Sequence, residues 1–281
     1  MIKKTSKTPA KNPAPLAKIA VIGGSGFYDL LENPKWIEIK TPYGKPSDKI
    51  AIGKIANHAV AFLPRHGKSH TTPPHKINYR ANLWALKSIG VKQIIAPCAC
   101  GSLQENIKPG EFVICDQFVD RTKNRADTFF EGPHVAHVSS AHPYCPSLRE
   151  LLYKSCLKNK IKTHKTGTVV IIEGPRYSTK SESRWFSSQD WEVINMTQYP
   201  ECILARELEM CYANIALITD YDAGLEGNKN IKPVTSTEVL RVFKQNNEKV
   251  KKVVIEAIKN IDKIHSNSCD CDKAMKDAFL S

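Results

Sequence analysis

Ile215-Ala216-Leu217-Ile218-Thr219-Asp220-Tyr221-Asp222 is an apolar run that ends in two carboxylates two positions apart. A short apolar run closed by polar residues reads as a buried strand. The end of such a strand delivers side chains into the crevice where open α/β sheets bind ligands. Two carboxylates there suit proton donation to a basic heterocycle. Upstream, Asn195-Met196-Thr197-Gln198-Tyr199-Pro200-Glu201 offers a polar turn leading into a helix.

Outward from these stretches, strand-like and helix-like segments alternate. Strands are predicted at 18–22, 50–55, 59–63, 91–96, 112–115, 168–172, 192–194 and 215–219. Helices are predicted from Pro74 through Ser88, and at 146–160, 179–187, 201–211 and 235–264. This alternation predicts an α/β sheet flanked by helices. With no internal repeat or linker, one domain over 18–265 is the simplest organisation. Residues 1–17 read as a disordered basic extension. Residues 266–281 read as a polar tail, carrying a CxC, that frays.

The chain has 281 residues, 41% of them hydrophobic, which is ordinary for a globular protein. No window holds ~18 consecutive apolar residues, so no membrane partner is expected. The N-terminus lacks the apolar stretch of a secretory signal, and a cytoplasmic location follows as an expectation. The net charge is +13, but it comes from scattered lysines without a helix-turn-helix, zinc-finger spacing or aromatic-basic RNA motif. A solvated basic surface is expected, and no nucleic-acid partner. Of nine cysteines, Cys98, Cys100 and Cys115 lie in or beside apolar runs and read as core or pocket wall. Cys145, Cys156, Cys202 and Cys211 are dispersed, and Cys269 and Cys271 form the terminal CxC. None of these patterns has the paired Cys/His spacing of a metal site, so no metal is expected.

Gly23-Gly24-Ser25-Gly26 follows the first strand, where successive amides can cradle an anion and Ser25 adds a hydroxyl. It is not a dinucleotide fingerprint: Asp29 stands where the third glycine belongs, and Asn33-Pro34 interrupts any following helix. Arg65-His66-Gly67 closes another strand, where a guanidinium can hold phosphate through two oxygens. Asp220 and Asp222 suit a 6-aminopurine: a carboxylate accepts from the exocyclic amino group, and a protonated carboxyl donates to N7. An Asn in place of Asp220 would suit a 6-oxopurine.

These motifs, with Cys98-Ala99-Cys100-Gly101-Ser102-Leu103 between them, run in order over roughly residues 18 to 262. Through them the chain resembles the methylthioadenosine phosphorylases of the purine nucleoside phosphorylase superfamily. The resemblance implies a central mixed, twisted β-sheet flanked by helices. It also implies phosphorolysis of 5′-methylthioadenosine to adenine and 5-methylthioribose 1-phosphate, in purine and methionine salvage. A broader purine nucleoside phosphorylase is the alternative. Ser25, Arg65, His66, Ala99 and Thr197 would bind phosphate, with Cys98 standing where the family usually has Thr or Ser. Tyr177 would stack on the purine, Asn195 and Met196 would flank the sugar, and Asp220 and Asp222 would act on the base. Val239 and Leu240 would line an apolar 5′ pocket, in which Ser236 is an unusual polar member. His137 would reach a neighbouring subunit's site. The family implies a homotrimer, with a dimer of trimers left open, and no cofactor beyond phosphate as co-substrate. Some thermophilic archaeal members carry disulfides and a C-terminal CxC, which leaves bridges among Cys145, Cys202, Cys211, Cys269 and Cys271 open.

Overall fold

The computed structural model describes residues 15–24, 27, 30–225, 228, 230–264 and 268–280. In chain order the elements are β1 (Ile19–Gly23), β2 (Lys35–Ile37), β3 (Ile50–Ile55), β4 (His58–Pro64), α1 (Tyr79–Ser88), β5 (Gln93–Ser102), β6 (Phe112–Val113) and β7 (Gln117–Arg121). They continue with α2 (Pro146–Lys158), β8 (Thr163–His164), β9 (Thr168–Ile172), α3 (Lys180–Ser187), β10 (Val193–Asn195), α4 (Gln198–Glu207), β11 (Cys211–Asp220) and α5 (Ser236–Lys259). The strands form one mixed sheet, with a main path β2-β3-β4-β1-β5-β10-β9-β7. β11 runs parallel to β5 along its length and leads on to β6 and β8. One face packs against α1 and α4 through residues such as Leu83, Leu86, Ile203 and Leu204. The other packs against α2 and α5 through Leu148, Leu152, Val253 and Val254. Among the described residues, no helix is long and apolar enough to cross a membrane.

The sheet forks at β5, and the fork positions the site. β1 pairs with β5 only up to Ile95. β10 joins the strand only at Gly101 and Ser102. Between them one edge of β5 is open. Pro97 falls in this gap, where its missing N–H breaks no ladder bond. The strand therefore continues through Pro97 to Ser102, well past the expected end at 96, because β11 supports its other edge.

Several boundaries differ from expectation for local reasons. The helix expected from Pro74 begins as an isolated 3-10 turn, and α1 starts only after Asn78, whose side chain accepts from Ala81 N–H at 3.1 Å. The helix expected to reach 211 ends at Glu207, because Cys211 is drawn into pairing with Gln93 as the first residue of β11. β2, β7 and β8 carry no apolar run long enough to announce them, and neighbours supply their ladder bonds.

Both expected termini pack against the body where described. Leu16 N–H bonds to Ile89 carbonyl and Ala17 is buried, so residues 16 and 17 belong to the body; residues 1–14 of the expected extension lie outside the described residues. The tail expected to fray is pinned over 268–280. Cys271, Met275 and Ala278 are buried, and Phe279 bridges to Ala136. The buried apolar side chains, not the polar majority, decide its place.

Candidate active site

A cavity of about 600 Å³ opens where β5 forks. Its walls come from the ends of β4, β5 and β11, the turn before α4, and the first two turns of α5.

At one end lies Arg65, 2% exposed. Its Nε and Nη2 bind both oxygens of Glu201, which is fully buried. Nη1 donates to Pro97 carbonyl at 3.1 Å and Nη2 to Ile22 carbonyl at 3.2 Å. A guanidinium has five N–H groups, so one, on Nη1, is left. The two-oxygen grip on phosphate expected of Arg65 is thus corrected: the fork is spent on Glu201, and Tyr212 Oη also donates to that carboxylate at 2.9 Å. Burial alone would lower the Arg65 pKa, but Glu201's charge and hydrogen bonds raise it above its ordinary value. The result is a permanently charged, immobile cation.

His66 lies beside it. Its Nδ1 is 2.9 Å from Thr72 carbonyl, which fixes the proton on Nδ1 and leaves Nε2 an acceptor. Burial, with the Arg65 and His70 charges, lowers its pKa to about 4. The ring is therefore neutral near pH 7 and can accept, rather than donate, a hydrogen bond. Thr197 is buried and accepts from Asn195 Nδ2 at 3.3 Å, so its hydroxyl proton is available to an anion. Successive residues of a strand point their backbone groups to opposite edges, so residues two apart share an edge. Ala99 N–H therefore faces the same open edge as Pro97 carbonyl. Gly24 also lines this end; its neighbour Ser25 lies outside the described residues.

Cys98 is present in the wall, but as an acceptor. Asn195 Oδ1 is held by Thr197 and Gln198 backbone N–H groups, which turns its Nδ2 onto Cys98 Sγ at 3.1 Å. Asn214 Nδ2, bound to Ala96 carbonyl, also donates to Cys98 Sγ at 3.1 Å. Burial pushes this thiol's pKa up. The Cys100 hydrogen bond, the Arg65 charge and the Asn214 amide outweigh that and bring it below its ordinary value. Asn195 is accordingly spent within the wall: its amide holds Cys98, Thr197 and the turn into α4, with nothing left for a sugar.

At the other end, Asp220 and Asp222 leave β11. Asp220 Oδ1 accepts from Asp222 N–H and Oδ2 from Thr219 hydroxyl, both at 2.7 Å. A Cβ on Gly101 would stand 2.9 Å from Asp220 Oδ1, so only glycine leaves room for this carboxylate. Asp222 is 2% exposed, and its Oδ2 has no hydrogen-bond partner. Burial raises the pKa of both carboxyls above the usual aspartate value, against partial relief from Thr219 at Asp220 and from Ser183 and Ser178 at Asp222. Two carboxyls held this way bind a proton more readily than free aspartates, and Asp222 Oδ2 is left unfilled.

Between the ends lie Met196 and Tyr177. Gly174 has φ 66° and lies so close to Met196 that a Cβ would meet Sδ at 2.6 Å. Arg125 binds Met196, Tyr199 and Glu173 carbonyls at 3.0, 2.6 and 2.8 Å and ties this loop down. Ser236, Val239, Leu240 and Phe243 form one face of α5 at the i, i+3, i+4, i+7 spacing. Tyr177 Oη is 3.2 Å from Ser236 Oγ. Leu240 remains 57% exposed, so this wall opens outward. His137 is exposed and outside the cavity of its own chain.

Glu201, Tyr212, Asn214 and Arg125 were not singled out from the sequence. Glu201 stands in the quoted turn, but nothing local says that its partner is Arg65. The dispersed cysteines also depart from expectation: Cys145, Cys211, Cys269 and Cys271 converge into a group that could hold a metal ion.

Residues 18–259 match the Phosphorylase superfamily. The S-methyl-5′-thioadenosine phosphorylase of Thermofilum pendens is 51% identical over 94% of this chain and 98% of its own length. A purine nucleoside phosphorylase of Streptomyces coelicolor is 45% identical over 92% of this chain and 94% of its own. Among solved structures, methylthioadenosine phosphorylase from Schistosoma mansoni in complex with adenine superposes with a TM-score of 0.86. It is 36% identical, covering 92% of this chain and 97% of that one.

Proposed function

The chain belongs to the phosphorylase superfamily and carries S-methyl-5′-thioadenosine phosphorylase activity, and from that premise we propose how its residues divide the reaction. The observation that carries the reading is the pairing of a fixed guanidinium at one end of the cavity with two buried carboxyls of raised pKa at the other. The first suits an anion and the second a 6-aminopurine.

Phosphate binds beside Arg65, with hydrogen bonds from Arg65 Nη1, Thr197 hydroxyl and Ala99 N–H. The Gly24 turn lines the same end; Ser25, expected there from its motif, lies outside the described residues. His66 Nε2 accepts a hydrogen bond from the hydroxyl of monohydrogen phosphate and orients it. These groups act mainly by holding the nucleophile beneath C1′. As the glycosidic bond lengthens, the sugar becomes cationic, and the phosphate charge stabilises it. Asp220 hydrogen-bonds or protonates N7, so that adenine leaves as a neutral base. Asp222, with its unfilled Oδ2, accepts from the exocyclic amino group. Tyr177 stacks on the ring, Met196 backs the ribose, and Val239 and Leu240 meet the 5′-methylthio group. Asn195 acts through the wall that it holds.

A broader purine nucleoside specificity is the second reading, favoured by Ser236 within the apolar row. One apolar contact is worth only ~10- to 200-fold in selectivity. The active form is a homotrimer in which His137 closes a neighbour's 5′ pocket, with a dimer of trimers as the larger alternative.

The test is adenine release from the purified protein with methylthioadenosine, with and without phosphate, beside adenosine and inosine. Phosphate-dependent release with methylthioadenosine preferred supports the assignment. Equal or better use of inosine would move the chain to the 6-oxopurine phosphorylases and remove the argument from Asp220.

A further inference from the structure

Four cysteines from three distant stretches meet at the far end of β11 from the cavity. Cys145 precedes α2, Cys211 opens β11, and Cys269 and Cys271 lie in the C-terminal segment. Their Sγ atoms all lie within 4.8 Å of one another, with Cys211 and Cys269 at 3.6 Å. β11 has ten residues, so at about 3.3 Å per residue the group lies roughly 30 Å along the strand from Asp220. It belongs to no part of the nucleoside site.

We propose that this group is a structural zinc site. Zinc takes four thiolates tetrahedrally at ~2.3 Å, which sets every sulfur–sulfur edge near about 3.8 Å. Sulfurs already within 4.8 Å of one another reach that geometry by moving about half an ångström each. Four cysteines fill the tetrahedron and leave no open position, as in structural rather than catalytic zinc sites. Thiolates select zinc over the hard, oxygen-seeking cations. A cluster whose thiolates bind separate irons would need them farther apart. The four are free thiols, with Cys145 and Cys271 buried.

The local backbone suits a ligand sulfur at Cys145. Cys145 caps the thirteen-residue α2, where the helix end stabilises negative charge. Leu148 N–H donates to Cys145 Sγ at 3.5 Å. Such donors orient ligand sulfurs around a metal. Zinc here joins the C-terminal segment to the starts of α2 and β11. The same segment continues to Ala278, whose carbonyl holds His137 N–H at 2.8 Å. The ion therefore anchors the strap that fixes the His137 loop.

The experiment uses the full-length protein, expressed with added zinc, purified under reducing conditions and passed over a weak chelator. One zinc per chain is expected by elemental mass spectrometry, with loss in Cys269→Ser and in Cys271→Ser. Cobalt(II) added to the reduced, metal-free protein should give the intense visible absorption of a tetrahedral tetrathiolate, which zinc then bleaches. Far-ultraviolet circular dichroism and gel filtration of each variant report whether it has folded, independently of its metal. Reduced protein that binds neither zinc nor cobalt overturns the proposal. So does zinc content unchanged in both variants. So does a chain whose four sulfurs are paired in two disulfides and which takes up no metal after reduction.

Discussion

Asp220 uses both oxygens as acceptors, one for Asp222 N–H and one for Thr219 hydroxyl. An Asn there keeps one acceptor and can turn its amide toward Thr219 Oγ1, so Asp220→Asn should fold. It cannot donate a proton to N7. Its kcat/KM with methylthioadenosine should fall by ~10²- to 10⁴-fold while the ratio of inosine to methylthioadenosine turnover rises; unchanged ratios in steady-state kinetics would remove Asp220 from base recognition. At Cys98 the sulfur receives amide N–H groups from Asn195, Asn214 and Gln198 and turns no strong donor toward phosphate. Cys98→Thr supplies a hydroxyl donor to a charged ligand, and the KM for phosphate should drop by ~10-fold or more. His66 sets a pH limit. Its pKa is about 4 in the fold against an ordinary 6.5, so the unfolded chain takes up this proton first as pH falls. The stabilisation by neutral His66 is fully present above about pH 6.5 and is lost toward pH 4. Urea unfolding should show a decline on the order of 3 kcal/mol across that window, flattened in His66→Gln.

The turn into α4 carries the site's main cross-brace. Glu201 lies in the first turn of α4 and Arg65 follows β4, and their buried bidentate pair locks helix to strand. Removing one partner strands the other charge, so Glu201→Ala should cost about 3–5 kcal/mol in chemical denaturation. It should also weaken phosphate binding, since Arg65 loses its orientation. α5 sets the 5′ end through one face, and Ser236 is the polar position in that row. Ser236→Val should raise selectivity for methylthioadenosine over adenosine by about 10-fold, read as the ratio of kcat/KM values. Elements with long apolar runs were legible from sequence: β3 and β9 fall on their expected bounds, and the core of α5 follows its period. β7, Gln117–Arg121, was not, because only pairing with β9 makes that polar stretch a strand. The extension of β5 past Pro97 was hidden for the same kind of reason, since β11 supports it from the side.

Across the whole molecule, the C-terminal segment behaves as part of the body. Deleting residues 268–281 exposes the contacts of Cys271, Met275 and Ala278. The loss should be at least about 2 kcal/mol, seen as a lower melting temperature. The subunit arrangement is checked by analytical ultracentrifugation: a trimer or hexamer is expected, and a fully active monomer would leave His137 without a role. The expectation that Arg65, His66, Thr197 and Tyr177 serve the site came through the family resemblance. The sequence by itself determined the alternating α/β plan and the strand end bearing Asp220 and Asp222. Each of these is written in a local apolar run and the polar residues that close it. Only the tertiary structure decided that Glu201 occupies the Arg65 fork, that Asn195 and Asn214 are spent on Cys98, and that four scattered cysteines converge. Those partners lie far apart along the chain, and no local periodicity encodes which segments the sheet will bring side by side.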